Sequence, residues 1–236
     1  RLTVLYVYYF NNELSQEEWK RVECINADIT DDNLKDVLSE QEFDVIINCA
    51  ACVKHFVKDD LLDRINVKGV ENLIKLALHK GSELVQISTT SVAGEGNADT
   101  VPASKQMKEN ELYFGQILEN DYIRTKFLAE RAVLSAVKND GLKAKIIRLG
   151  NLMSRRSDGE FQINFVTNGF MRSLRGYKVL GQFPLGAMHS LAEFSPIDST
   201  AKSIVTLMQC DEPYTVFHAF NSHKIYMSDV IYAMRD

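Results

Sequence analysis

Apolar positions along this chain fall into short unbroken runs separated by longer periodic ones. "RVECI" (21–25) is a short run that predicts a strand. "DDNLKDVLSE" (31–40) has apolar positions at helical spacing behind Thr30 or Asp31, either of which can cap a helix. "FDVIINCA" (43–50) is a continuous apolar run of the kind found in buried parallel strands. "LLDRINVKGVENLIKLALHKG" (61–81) is amphipathic, with Gly81 placed to end the helix. "ELVQIS" (83–88) predicts a strand, a helix follows from Tyr122 to about Lys138, and "AKIIRLG" (144–150) predicts another strand. Strand and helix alternate, which specifies right-handed βαβ units. The expected fold is therefore α/β, with a doubly wound, Rossmann-type parallel sheet.

After residue 150 the alternation stops. Residues 151–194 mix glycine, aromatic and basic residues without a clean period, which suits a smaller substrate-binding region. "SPIDSTAKSIVTLM" (195–208) reads as a loop leading into a helix, and "TVFHAFN" (215–221) as a strand. The expected organisation has three parts. A Rossmann-type part spans 1–150, the substrate-binding region 151–194, and residues 195–236 return to the Rossmann part with a partial C-terminal region. The connection 89–120 is long for a strand-to-helix link, and loops of that length are often functional.

Composition narrows the classes. With 236 residues, 45% hydrophobic and 25% charged, the chain can bury one sizeable core. A net charge of -5 gives no footprint for nucleic acid or an anionic membrane surface. No apolar run approaches the roughly 18 residues a membrane helix needs. The opening "RLTVLYVYYF" is too short and too poorly flanked for a signal peptide and carries no initiator methionine, so an excised domain is expected. Cys24, Cys49, Cys52 and Cys210 are scattered, which suits a reducing cytoplasm. Cys49 and Cys52 form a C-x-x-C followed by His55, but no fourth ligand stands at a sensible spacing, so no metal is expected. The pair ends an apolar strand, and buried structural cysteines are the expectation.

In an open parallel sheet, ligands bind beyond the carboxyl ends of the strands. Small or polar residues gather there: "NADIT", "NCAA", "STTS" and "GN" each follow a predicted strand. Asp28 can accept a hydrogen bond from an adenine amino group, and Ala50 and Ala51 let a nucleotide lie against the backbone. Within "NDYIRTKFLAE" (120–130), Tyr122 and Lys126 stand about one helical turn apart on one face. An ammonium there can lower the pKa of the phenol and let it exchange a proton near neutrality. Arg155 and Arg156 can meet a phosphate or an acidic partner, or simply be a solvated basic pair. Phe161, Phe165 and Phe170 can line an acyl pocket or pack a core.

The segments "NCAACVKHF", "INVKGVENLI", "ISTTSVAG", "LYFGQ", "YIRTKFLAE", "RLGNLM", "DGEFQINF" and "EFSPIDSTAKSIV" resemble the extended short-chain dehydrogenase/reductases. More specifically, they resemble the terminal thioester reductase domains of nonribosomal peptide synthetases, over about residues 20–230. "LYFGQ" and "DGEFQINF" are the particular features of that branch. The resemblance implies a Thr-Tyr-Lys site. Its hydroxyl residue falls on Thr89, with Thr90 and Ser91 as register alternatives. Tyr122 would protonate the oxyanion, and Lys126 would hold the nicotinamide ribose and bias the phenol. Asn66 matches an asparagine common in extended members, and Gly150, Asn151 and Leu152 would present backbone to the carboxamide. Ile29 beside Asp28, and Ser88 before Thr89, complete the expected cofactor-binding set.

The implied activity is NADPH-dependent reductive release of an acyl or peptidyl thioester, delivered on the phosphopantetheine arm of an upstream carrier domain. The product would be an aldehyde, or an alcohol after a second hydride. NADPH is expected over NADH from the resemblance alone, in a cytoplasmic, monomeric domain without nucleic-acid or membrane partners. Carboxylic acid or aminoadipate-type reductases share the chemistry. A nucleotide-sugar epimerase or dehydratase, and a non-catalytic dinucleotide sensor, are the alternatives. One departure stands out: no glycine precedes Gly69, whereas the family opens on a strand and a G-x-x-G-x-x-G turn that holds the pyrophosphate. About the first forty residues of such a domain are therefore expected to be absent, and the polypeptide as written to bind a dinucleotide poorly.

Overall fold

The computed structural model describes residues 15–54, 59–94, 106–161 and 165–235. The chain divides into two compact units. The larger comprises Ala27–Gly150 and Lys202–Ala219; the smaller comprises Asn151–Ala201 with the described parts of Arg1–Asn26 and Phe220–Asp236. Residues 15–26 thus group with the smaller unit, and the return to the larger begins at Lys202.

The larger unit is built on strands β1 (Val45–Asn48), β2 (Glu83–Thr89), β3 (Ala144–Leu149) and β7 (Val216–Ala219), hydrogen-bonded in that order. All three pairings are parallel. α2 (Leu34–Val37) precedes β1, and between the strands run α3 (Leu61–Asp63), α4 (Gly69–Lys80) and α5 (Asp121–Asp140). A π-helical turn, Arg64–Lys68, joins α3 to α4. Gly81 adopts a left-handed φ of 70° and ends α4, as its place in the sequence predicts. Asn120 caps α5, its side-chain oxygen accepting from the backbone N–H groups of Tyr122 (3.0 Å) and Ile123 (3.2 Å).

Both faces are covered over β2, β3 and β7, which explains their apolar runs, while Ile47 of β1 stays 46% exposed. On one face, Leu84, Ile146 and Val216 pack against Val70, Leu73 and Ala77 of α4 and Ala129, Val133 and Ala136 of α5. On the other, Val85, Ile147, Leu149 and Ala219 meet Ile204, Leu207 and Met208, the last turns of α8 (Ile197–Met208).

The smaller unit contains α1 (Gln16–Trp19), β4 (Leu152–Met153), α6 (Gly169–Leu180), α7 (Leu185–Met188), β5 (Leu191–Glu193), β6 (Ser195–Pro196), β8 (Lys224–Tyr226) and α9 (Met227–Ala233). β4 pairs with β6 in parallel and β5 with β8 antiparallel.

Three local expectations change. Residues 21–25 form no strand; Val22 and Ile25 are 41% and 43% exposed, and the segment has no ladder partner among the described residues. The helix expected over 31–40 is a single turn, Leu34–Val37, flanked by hydrogen-bonded turns. The region 151–194 contains a twelve-residue helix, α6, whose Phe170, Met171, Leu174 and Tyr177 stand at helical spacing within a stretch otherwise rich in glycine and basic residues.

Candidate active site

Beyond the carboxyl end of β2 the chain turns sharply through a 3-10 turn, Thr90–Ala93, that Thr89 caps by accepting from the Ser91 N–H at 3.1 Å. The Thr89 hydroxyl is also hydrogen-bonded to the phenol of Tyr122. One helical turn along α5, the Lys126 ammonium donates to the carbonyl oxygen of Ile87 at 2.7 Å. The structure thus brings Thr89, Tyr122 and Lys126 together at one strand end.

The electrostatics differ from the expectation that Lys126 lowers the phenol's pKa. Burial raises the Tyr122 phenol above its usual value, and the Thr89 hydrogen bond only partly offsets this. Lys126 itself is 5% exposed, and desolvation depresses its pKa to about 8, against opposing pulls from Glu130 and Cys49. Its charge is directed at the Ile87 carbonyl, which explains why the phenol is governed by burial instead.

The connection between β2 and α5 is locked by the "LYFGQ" segment. Gln116 is buried and donates to the carbonyls of Val92 (3.0 Å) and Leu112 (2.7 Å), while its own oxygen accepts from the Phe114 N–H (2.9 Å). This ties residues 112–117 to the turn after Thr89. Gly94 makes that approach possible: its φ is 83°, and a Cβ there would stand 2.6 Å from the Ile117 carbonyl oxygen. Gly94→Ala is therefore expected to cost on the order of 2–3 kcal/mol, read as a lowered urea midpoint, and to reduce turnover by loosening the turn that carries Thr89.

Other predicted residues take varied places. Ala50 and Ala51 lie past the end of β1, where the Asn48 side-chain oxygen accepts from the Ala50 N–H at 3.0 Å. Asp28 folds its own loop by accepting from the Thr30 N–H at 2.8 Å, which holds its carboxyl below the usual value. Ile29 packs against Gly69, where a Cβ would come within 2.7 Å of its side chain. Asn66, in the π-helical turn, is buried with its amide engaged by the protein. It accepts from the Cys52 N–H (2.8 Å) and donates to the Cys52 carbonyl (3.0 Å) and the Thr125 hydroxyl (3.1 Å). It thereby fastens the loop after β1 to the helix that carries Tyr122 and Lys126. Gly150 closes the first segment of the larger unit, whereas Asn151 and Leu152 belong to the smaller one. There the Asn151 N–H donates to Glu193 at 2.7 Å.

The basic pair and the cysteines also find their places. Arg155 is ion-paired with Asp158 (2.9 Å) and Glu160 (2.6 Å) in its own loop, and the backbone N–H of Arg156 donates to Asp198. Phe170 packs edge-on against Phe194. Cys52 is buried, but Cys49 and Cys24 are exposed, because Cys49 lies beyond the last paired residue of β1. His55 lies outside the described residues; among those described, no cluster of His, Cys, Asp or Glu can hold a metal ion. No described helix is long and apolar enough to cross a membrane.

Sequence reading assigned Ser88 to the cofactor but missed the polar row it belongs to, on the α5-facing side of the strand ends. Ser88, Arg148 and His218 are direct neighbours across β2, β3 and β7. Glu130 of α5 closes over them, accepting from Ser88 Oγ at 2.5 Å and from Arg148 Nη2 at 2.8 Å. Beside them, Gln86 bridges the Asn48 side chain and the Ile87 carbonyl, both at 2.9 Å. The signal was the spacing Tyr122, Lys126, Glu130, which places all three on one helix face.

The chain matches the NAD-binding family described as Male sterility protein over residues 1–204. A thiolation-reductase di-domain from an archaeal non-ribosomal peptide synthetase has a similar structure, with a TM-score of 0.90 and 39% identity over 100% of this chain and 50% of that one. The reductase domain of the Aureusimine biosynthetic cluster matches with a TM-score of 0.79 and 31% identity, over 96% of this chain and 59% of that one. A linear gramicidin synthase polypeptide of Brevibacillus parabrevis is 27% identical over 197 residues, 82% of this chain and 4% of that protein. The chain thus spans about half the length of the solved reductase chains. With a parallel sheet closed by helices on both faces and a family match over most of its length, the chain belongs to the Male sterility protein family of NAD-binding domains, among the extended short-chain dehydrogenase/reductases.

Proposed function

We propose that the protein uses NADPH to release an acyl or peptidyl thioester reductively from a carrier domain of a nonribosomal peptide synthetase. The observation that carries this is the half-buried Tyr122 phenol, hydrogen-bonded to Thr89 at the end of β2 and one helical turn from the buried ammonium of Lys126. The likeness to reductase domains of peptide-synthetase systems supports the substrate class and the carrier partner. NADPH over NADH, a cytoplasmic setting and a monomeric domain rest on the resemblance of the sequence to that branch.

The residues present fit the nicotinamide half of the cofactor. Lys126 and Tyr122 supply polar hydrogens at the strand end, and Ala50 and Ala51 present side chains no larger than a methyl group beyond β1. Lys126 would hold the ribose, Ala50 and Ala51 would lie against the nucleotide, and Asp28 with Ile29 would border the adenosine side. When bound, the cofactor supplies the hydride. Thr89 would hydrogen-bond the substrate carbonyl oxygen and fix it beside the phenol. Tyr122, kept protonated by burial, would give its proton to that oxygen as negative charge develops. Collapse of the resulting hemithioacetal breaks the C–S bond, giving the aldehyde and the pantetheine thiol.

The test is NADPH oxidation, followed by absorbance, with an acyl-pantetheine thioester and the full-length protein containing this chain. Thioester-dependent oxidation with stoichiometric thiol release is expected. Turnover of a UDP-sugar with no response to thioesters would replace this reading with an epimerase. Dinucleotide binding without either reaction would make the protein a sensor.

A further inference from the structure

The face of α5 that carries Tyr122 and Lys126 carries a third polar residue one turn on, and each of the three engages β2. Tyr122 meets the Thr89 hydroxyl, Lys126 the Ile87 carbonyl, and Glu130 the Ser88 hydroxyl. Three consecutive residues of β2 are thus held by one helix face. Glu130 and Arg148 are both wholly buried, and the carboxylate takes hydrogen bonds from Arg148 Nε (3.0 Å) and Nη2 (2.8 Å). Arg148 is held from its far side. Its Nη1 donates to the Lys108 carbonyl at 3.2 Å and stands 3.2 Å from His218 Nε2, while the His218 N–H donates to Glu109.

Burying an ion pair is weak support for stability, because desolvation of both charges offsets their attraction. Its location suggests another use. A charged lysine buried one turn away is unfavourable without a nearby anion, and Glu130 is a buried carboxylate that acts on Lys126. We propose that Glu130, clamped between Ser88 and Arg148, is a positioning residue that keeps Lys126 charged and aligned with the end of β2. Its importance for turnover rests on the reductase reading above; its effect on Lys126 does not.

The groups that titrate around this face are few. Lys126 faces Glu130 and Tyr122 on its own helix and Cys49 beyond β1; Glu130 faces Arg148 of β3, with His218 of β7 behind it. Burial and Arg148 hold His218 below the usual histidine value, burial raises the Tyr122 phenol, and partial desolvation by its surroundings pushes the surface-accessible Cys49 thiol up. Above neutrality, Lys126 is therefore the first of these groups to change charge.

The experiment measures, in the cofactor-free full-length protein, the pH dependence of trace acetylation at Lys126 by peptide mass, alongside the pH–rate profile for thioester reduction. The wild-type midpoint is expected at about 8. In Glu130→Gln it should fall by about one unit or more. The alkaline limb of kcat should fall with it, while Glu130→Asp retains the wild-type midpoint. Because Glu130→Gln leaves Arg148 buried and unpaired, the double variant Glu130→Gln/Arg148→Met serves as the folded reference, with both charges removed together. It should show the same lowered midpoint. A wild-type midpoint in the folded double variant would overturn the proposal. A lowered midpoint in a protein that does not reduce thioesters would uphold it and reject the reductase reading.

Discussion

Tyr122→Phe is expected to lower kcat for thioester reduction by about 10²–10⁴-fold, the range attributable to a positioned general acid. Stability should stay within ~1 kcal/mol of wild type, because the ring remains packed and what is lost at Thr89 is a hydrogen bond of ordinary strength. The phenol can do what its neighbours cannot. The Thr89 hydroxyl is engaged in capping the turn after β2 and is far too weak an acid to release a proton near neutrality. The Lys126 ammonium is acidic enough but donates to the Ile87 carbonyl. Burial keeps the phenol protonated before reaction, so the proton is in place when the carbonyl oxygen gains charge. Steady-state kinetics paired with thermal melts check this. Wild-type turnover in folded Tyr122→Phe would remove the phenol from the mechanism and assign its proton to another donor.

The parts of this site that the sequence reveals and the parts it hides differ in physical kind. The parallel sheet is legible because both faces are covered over β2, β3 and β7, so "AKIIRLG" reads as an unbroken apolar run. Tyr122 and Lys126 are legible because helical geometry puts residues four apart on one face. Glu130 obeys the same geometry, one turn past Lys126, but it carries a charge, as does Arg148 on β3, and charged residues are normally solvated. Their burial follows from pairing between a helix residue and a strand residue eighteen positions apart, a contact no local pattern reports. Gln116 is hidden for a similar reason: its partners are backbone carbonyls, which leave no mark on the sequence. The failed strand at 21–25 shows the reverse error. Its composition suits a strand, but a strand requires a neighbour, and Val22 and Ile25 remain exposed.

Lys126→Met should separate stability from activity in opposite directions. The native state holds this lysine at a pKa of about 8 against an ordinary 10.5. Below pH 8 both native and unfolded chains carry the proton, and the native state bears the full cost of a buried charge. Between about 8 and 10.5 the unfolded chain binds more protons than the native one, so wild-type stability should rise with pH across that window. A shift of this size corresponds to a burial cost on the order of 3 kcal/mol at neutral pH. Methionine fills a similar volume without the charge, and the Ile87 carbonyl keeps a second donor in Gln86. The variant should therefore be more stable than wild type at pH 7, with a melting temperature that no longer climbs between about pH 8 and 10. Its kcat/KM should fall by about 10²-fold or more, because the ammonium proposed to hold the cofactor ribose is gone. A Lys126→Met protein that melts at the wild-type temperature at pH 7 and keeps wild-type activity would show that the buried ammonium has neither the cost nor the role assigned to it.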